Sequence, residues 1–331
     1  MTRIDITTGS RLHFGLICSE LDMRWRFGGI GIMLRQPAWR LSVTPIVATR
    51  DTIKATDEAF SRISEFLQSI RSNYEIGSLR IDVHHDVPFH TGLGSGTQLA
   101  LALSAAIELL THRRLQEDPF HLAQLAERAV RSAIGTVGFA RGGFLVDQGQ
   151  PYGGTLMRQV DRIAFPDGWR FLLVQPADSQ GLSGEQERTF FGQRIHMPTT
   201  LIEKLERQVL KQIVPQILEG QFQDFAKSLE NYGKLVGEFY AAQQGGVFAH
   251  PAMTQLVAHL RSCGIFGMAQ SSWGPLIGIP ACSPEHAAEI RRLIPNSIGS
   301  SRLQTTISEP MNTGADIRST VDDSGLRGIV V

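Results

Sequence analysis

Residues 86–106 read DVPFHTGLGSGTQLALALSAA: a proline, glycines at 92, 94 and 96, and then the most apolar run of the chain. Glycine loses more conformational freedom on folding than any other residue, so three of them together mark a backbone that must turn sharply or approach something closely. The run that follows, Leu99 to Leu110, is apolar nearly all round a helix and is expected to be buried. The segment before the loop, LRIDVHHDV (79–87), alternates as a strand does. A strand, a glycine loop and a buried helix set unpaired helix N–H groups and the positive end of the helix dipole at the loop, which makes an anion site. Ser95 and Thr97 add hydroxyls, or Thr97 caps the helix from its start near that residue. No G-K-[ST] follows, so this is not a Walker A loop, and Thr97 stands where G-x-G-x-x-G needs its third glycine. A ligand-free strand-to-helix turn is the competing reading; phosphate binding explains the crowding of glycines better.

The chain around this loop has 331 residues, 42% of them apolar and 19% charged, which suits a folded protein with a substantial core. Its formal net charge is zero, so no global field draws in nucleic acid or an anionic membrane, and an anionic ligand must be held locally. Only five of the 32 basic residues are lysines, an excess of arginine that biased composition explains. Cys18, Cys263 and Cys282 form no metal-type pair, as in a reduced cytoplasmic chain. The N-terminus lacks a signal-peptide core, and Leu99–Leu110 is too short to span a bilayer and carries Glu108. A cytoplasmic protein is expected.

Strand-like alternation fills the first 45 residues, and helices are expected at 57–70, from about 97, and at 119–132. The glycine-rich stretch 135–154 reads as irregular chain around short strands. The character changes near 160–168. Beyond it come a strand at 169–177, helices at 199–219, 222–243, 251–262 and 284–294, two strands with a tight turn in 264–280, and a strand at 302–308. The last twenty residues read as loosely held. The Phe/Tyr stripe of 222–239 reads as core or dimer interface, and a homodimer is expected from it. The organisation is α+β, with one domain over 1–164 and a second over 165–331.

Pro88-x-x-x-Gly92-Leu93-Gly94-Ser95-Gly96 resembles the second motif of the GHMP kinases, P-x-x-x-G-L-G-S-S-A, whose loop wraps nucleotide phosphates. GIFGMAQSSWGPLIGI (264–279) resembles their third, glycine-rich motif. The resemblance implies a GHMP-kinase-like two-domain fold: an N-terminal domain like that of a small-subunit ribosomal protein, and a ferredoxin-like α+β C-terminal domain. Many of these kinases carry an S-G-x-D segment whose aspartate lies by the substrate hydroxyl. That segment falls on RSAIGT (131–136), where Gly135 takes the aspartate's place, and no Asp or Glu occurs between Glu127 and Asp147. Loss of such a base costs about 10²–10⁴-fold in rate.

Within the superfamily the chain is most similar to the β-ribofuranosylaminobenzene 5′-phosphate synthases of tetrahydromethanopterin biosynthesis. The similarity lies in SRLHFGL (10–16), RFGGIGI (26–32), PFHTGLGSGTQLALA (88–102), IGTVGFARGGFLVDQG (134–149) and GLSGEQERTFF (181–191). The resemblance implies condensation of phosphoribosyl pyrophosphate with 4-hydroxybenzoate or 4-aminobenzoate, with loss of pyrophosphate and carbon dioxide. It implies magnesium and no organic cofactor. A small-molecule GHMP kinase and a non-catalytic sugar-phosphate or nucleotide sensor remain as alternatives.

The resemblance and the chemistry together nominate site residues. Gly92, Leu93, Gly94, Ser95, Gly96, Thr97 and Gln98 are expected to hold phosphate. Ser10, Arg11, Arg26, Gly28, Gly29, Thr136, Ser271 and Ser272 are expected to contact substrate, with Arg26 pairing to the benzoate carboxylate or a phosphate. Asp147 and Glu185 are acidic candidates for magnesium or for steadying the cationic sugar. His13 and His90 are candidates for protonating the leaving group or for a hydrogen bond to the ring substituent. The plainer readings are a structural histidine at 13, surface arginines at 11 and 26, a turn-capping Asp147, a helix-start Glu185 and hairpin-shaping serines at 271 and 272. The His84–His85 pair alternates faces on its strand and is a poor metal pair.

Overall fold

The structure is a computed structural model that describes residues 2–15, 17, 25–26, 28–72, 74–127, 132–151, 159–177, 196–321 and 329–330. In the first part the elements are β1 (Thr2–His13), β2 (Trp25–Arg26), β3 (Gly29–Pro45), β4 (Thr52–Lys54), α1 (Asp57–Arg71), β5 (Leu79–His85), α2 (Ser95–His112), α3 (Pro119–Leu125), α4 (Ile134–Arg141), β6 (Phe144–Asp147), β7 (Gln150–Pro151) and β8 (Val160–Ile163). There follow β9 (Arg170–Pro176), α5 (Thr199–Gln208), a π-helical turn (Val209–Ile213), α6 (Val214–Leu218), α7 (Phe222–Phe239), α8 (Ala241–Gln244), α9 (Pro251–Ser262), β10 (Ala269–Gln270), β11 (Ile277–Ala281), α10 (Pro284–Leu293), β12 (Ser297–Ile298), β13 (Ser301–Ser308), β14 (Asp316–Val321) and β15 (Ile329–Val330).

Two sheets organise these elements. The first runs β15-β14-β1-β3-β5-β4, with β6 and β8 branching from β3. The long β3 makes this possible: its Gly29–Ile32 end pairs with β6 and its Arg40–Pro45 end with β5, while β1 lies along its other edge. The second sheet runs β10-β11-β9-β13-β12 and its strand pairs are antiparallel. β14 pairs with β1 from Thr2↔Val321 to Thr7↔Asp316. The expected looseness of the last twenty residues is therefore corrected over Asp316–Val321, and chain beyond 165 supplies strands to both sheets. The alternation in DIRSTV is short and polar, so nothing local shows that β1 offers it a free edge.

α2 is buried at Ser95 and throughout Gln98–Glu108, as an all-round apolar helix requires. Its start is pinned by Trp39, fully buried, whose indole Nε1 donates to the Ser95 carbonyl at 3.1 Å. An aromatic seam joins the halves: Phe165 stacks on Phe144 at 6.1 Å, meets Phe225 edge-on at 5.5 Å and lies 5.8 Å from Phe171, which is 6.0 Å from Phe14. The stripe on α7 is core at Phe225, Leu229, Tyr232 and Val236.

One expected irregular stretch is a helix. Residues 134–141 form α4, and its glycines serve close packing rather than disorder. A Cβ on Gly138 would lie 2.5 Å from the Met33 sulfur, and one on Gly31 of β3 would lie 2.5 Å from Ile134 Cγ2. Only residues without side chains let this helix press so near the sheet. The helix expected over 119–132 is described from Pro119 to Leu125, with Asp118 accepting from the Phe120 N–H at its start.

Candidate functional site

The glycine loop closes on the ends of two other segments. Gly92 has φ +100°, and a Cβ there would collide with the Ser271 carbonyl. The Ser271 hydroxyl donates to the Gly92 carbonyl at 2.7 Å and accepts from the His13 N–H at 3.0 Å, and the Ser272 N–H donates to the His13 carbonyl at 2.6 Å. Ser271 is fully buried. The second glycine-rich segment, nearly 180 positions downstream, is thus clasped to the loop and to the end of β1 by one hydroxyl.

Gly94 is the N-cap of α2, with φ +70°, and no side chain caps that helix start. The helix begins at Ser95, two residues earlier than the expected Thr97 cap. Arg11 lies across Gly94: a Cβ there would be 2.7 Å from Arg11 Cγ and 2.9 Å from its Nε. The Arg11 N–H donates to the Leu93 carbonyl at 2.9 Å, and its guanidinium reaches the Gly92 carbonyl at 3.4 Å. The alternation of the loop sorts its residues. Gly92, Gly94, Gly96 and Thr97 keep part of their surface exposed, whereas Leu93, Ser95 and Gln98 are buried. The Ser95 hydroxyl donates to the Val87 carbonyl at 2.6 Å. Backbone, a cation and an uncapped helix start therefore lie together at the partly exposed loop, an arrangement suited to a phosphate or diphosphate.

A second group sits where β1, β3 and α4 meet. His13 is buried at the end of β1, and a Cβ on Gly29 would lie 3.0 Å from its Nε2. Gly29 pairs with Asp147 across β3 and β6, and a Cβ on Gly28 would lie 2.9 Å from the Asp147 carbonyl oxygen. Asp147 is buried; one carboxylate oxygen accepts from the Ala133 N–H at 2.7 Å and the other from the Gly149 N–H at 3.0 Å. The carboxylate thus holds the entry to α4 and the turn after β6. Thr136, in the first turn of α4, is buried, and its hydroxyl has no hydrogen-bond partner among the described residues. The same holds for Ser10 on β1.

His90 stands apart from both groups. It adopts φ +56°, and its Nε2 lies 3.3 Å from the Arg62 guanidinium and 3.4 Å from a Glu58 carboxylate oxygen on α1. Glu185 and the Arg26 side chain lie outside the described residues; the Arg26 backbone pairs with Gln150. Among the described residues no group of three or more His, Cys, Asp or Glu is placed to hold a metal ion. No helix of the described residues is long and apolar enough to cross a membrane. Sequence reasoning did not reach Thr8, whose hydroxyl bonds Gln98, nor Trp39, nor the Glu58–Arg62 pair. Each acts across 28 or more positions, and none sits in a motif.

Residues 58–143, which contain the glycine loop and α4, match the GHMP kinases N-terminal domain family. The fold is shared along nearly the whole chain. Homoserine kinase from Cytophaga hutchinsonii superposes with a TM-score of 0.64 at 13% identity, over 95% of this chain and 97% of that one. Mevalonate diphosphate decarboxylase from Staphylococcus aureus gives 0.65 at 15% identity, over 96% and 98%. The chain therefore carries the GHMP fold. The predicted α+β GHMP fold is thereby borne out.

In sequence, this protein is similar to three proteins named beta-ribofuranosylphenol 5'-phosphate synthase. That of Methanothermobacter thermautotrophicus is 28% identical over 82% of this chain and 87% of its own. That of Archaeoglobus fulgidus is 27% identical over 70% and 75%, and that of Methanocaldococcus jannaschii 26% identical over 67% and 74%. The resemblance read from the segments of both halves holds along most of the chain.

Proposed function

We propose that this GHMP protein is a decarboxylating phosphoribosyl transferase that joins phosphoribosyl pyrophosphate to 4-hydroxybenzoate or 4-aminobenzoate. The observation that carries this reading is the similarity over 82% of the chain to a protein named for a ribofuranosylphenol phosphate product. That product name favours the para-hydroxyl acid, which leaves a phenol.

The reaction balances without an added oxidant, reductant or nucleotide. The bond between the anomeric carbon and pyrophosphate breaks, and the anomeric carbon bonds to the ring carbon that carries the carboxylate. The ring then loses carbon dioxide, whose bonding electrons restore aromaticity. The protein must hold a polyanion, orient a flat acid and keep water from the sugar cation. The backbone of Gly92, Gly94 and Gly96, with Thr97 and Arg11, suits the diphosphate. Ser271 fixes the loop against β1. To His13, buried beside Gly29, we assign the ring side of the site. Magnesium fits this reading as the counter-ion of the diphosphate, a hard cation that takes phosphate oxygens.

The family match favours a second reading, an ATP-dependent small-molecule kinase. Against it, the first turn of α4 carries Gly135 where an aspartate base would stand, and the Asp147 carboxylate is committed to Ala133 and Gly149. Incubation with phosphoribosyl pyrophosphate, magnesium and each acid, without ATP, separates the two. Mass spectrometry and NMR of a product with a carbon–carbon link between ribose and ring would support the transferase. ATP consumption with a phosphorylated alcohol, and no such product, would support the kinase.

A further inference from the structure

Gln98 lies in the second turn of the most apolar helix of the chain, fully buried, with Leu99 and Leu101 as near neighbours. Burying a carboxamide is unfavourable unless both its ends are satisfied. Here both are, by partners from two other elements. Its Oε1 accepts from the Thr8 hydroxyl on β1 at 2.7 Å, and its Nε2 donates to the Gly135 carbonyl on α4 at 2.9 Å. The side chain is therefore turned into the protein and away from the loop opening where phosphate was expected to meet it.

What it holds is the first turn of α4. A Cβ on Gly135 would lie 3.0 Å from Thr97 Cγ2 and 3.5 Å from Gln98 Nε2, so α4 touches α2 here with no space to spare. On its other side the same turn is held by Asp147 through the Ala133 N–H. The next residue, Thr136, is 1% exposed, and its hydroxyl has no partner among the described residues. A buried hydroxyl left unsatisfied destabilises a fold, and this one is next in the chain to Gly135, which abuts Thr97 of the glycine loop. The glycine loop has ties of its own, Trp39 to Ser95, Ser95 to Val87 and Ser271 to Gly92, which do not run through Gln98.

We propose that Gln98 is a positioning residue that ties β1 to the first turn of α4 and so sets the Thr136 hydroxyl against the bound substrate. This rests on the transferase reading above. Because the loop is fixed independently, loss of the tie disturbs the reacting geometry more than phosphoribosyl pyrophosphate binding. A misplacement of about 1 Å in a positioned group costs on the order of 10²-fold in rate.

The test compares Gln98→Met, which keeps volume and removes both hydrogen bonds, with Thr136→Val, which removes only the hydroxyl, and with the double variant. Gln98→Met should lower kcat at least tenfold with the KM for phosphoribosyl pyrophosphate within twofold. Thr136→Val should lower kcat while the melting temperature stays level or rises, since an unsatisfied hydroxyl is replaced by a methyl. The double variant should be no slower than the slower single variant. A kcat within twofold of the parent for Gln98→Met, a raised KM with unchanged kcat, or multiplicative losses in the double variant would overturn the proposal. An unmodified protein that forms no product would overturn the transferase reading instead. The tie would then be read by amide hydrogen exchange: Gln98→Met must lose protection over 133–138 while 89–94 keep theirs, and equal protection in both proteins would overturn it. Should Gln98→Met not fold, Thr8→Val removes one arm of the tie and is held to the same outcomes.

Discussion

Ser271 shows how one buried hydroxyl can stand behind a site without lining it. It donates to the Gly92 carbonyl and accepts from the His13 N–H, so its removal unpairs groups on both the loop and β1. Each such unsatisfied group costs about 1–3 kcal/mol. Ser271→Ala should lower the melting temperature by several degrees and raise the KM for phosphoribosyl pyrophosphate, measured by scanning fluorimetry and initial rates. An unchanged KM would remove Ser271 from the machinery that shapes the loop. The sequence pointed to this serine through its glycine-rich context but could not distinguish a ligand contact from a clasp. That distinction depends on a partner some 180 positions away. His90 makes the same point in reverse: it sits inside the motif, yet its ring turns to Glu58 and Arg62 on α1.

At the scale of elements, the close approach of α4 to β3 is the feature least legible in the sequence. IGTVGFARGG is rich in glycine, and glycine disfavours isolated helices, so irregular chain is the natural reading. Tertiary packing reverses it, because Gly138 and Gly31 are what allow the helix to lie on the sheet. Gly31→Ala would set a methyl 2.5 Å from both Ile134 Cγ2 and the Leu12 carbonyl oxygen. Overpacking of this kind costs roughly 1–3 kcal/mol. Chemical denaturation should show a loss in that range, with activity falling further because α4 carries Thr136. A variant as stable as the parent would contradict the packing described.

α1 is tied to the chain ahead of it by Asp51, which forms two hydrogen bonds with Arg71 at 2.6 and 2.7 Å and accepts from the Leu79 N–H at 2.8 Å. The hydrogen-bonded Arg71 guanidinium, foremost, holds the Asp51 carboxyl below its ordinary value. A depressed carboxyl contributes stability above its unfolded-state pKa, about 3.9, and loses it as pH falls through the lower folded-state value. The stability difference between the parent and Asp51→Asn should therefore be level between neutral pH and about pH 5 and shrink below about pH 4. A difference that grew on acidification would have the wrong sign.

Across the whole molecule, the glycine loop, the buried helix and the α+β order were legible because each rests on local rules: glycine freedom, helical periodicity and strand alternation. The joining of the halves was not. Phe14, Phe144, Phe165, Phe171 and Phe225 form one aromatic seam from segments far apart in the chain, and β14 returns to pair with β1. The candidate site lies at that junction, with the loop and β1 from one half and Ser271 from the other. The measurement that bears most directly on the proposed chemistry supplies phosphoribosyl pyrophosphate, magnesium and carboxyl-labelled 4-hydroxybenzoate, with ATP absent, and counts labelled carbon dioxide and pyrophosphate in the same reaction. Decarboxylating transfer predicts their release in equal amounts, dependent on both substrates. Pyrophosphate release without carbon dioxide, or no release of either while ATP is consumed with another acceptor, would contradict it.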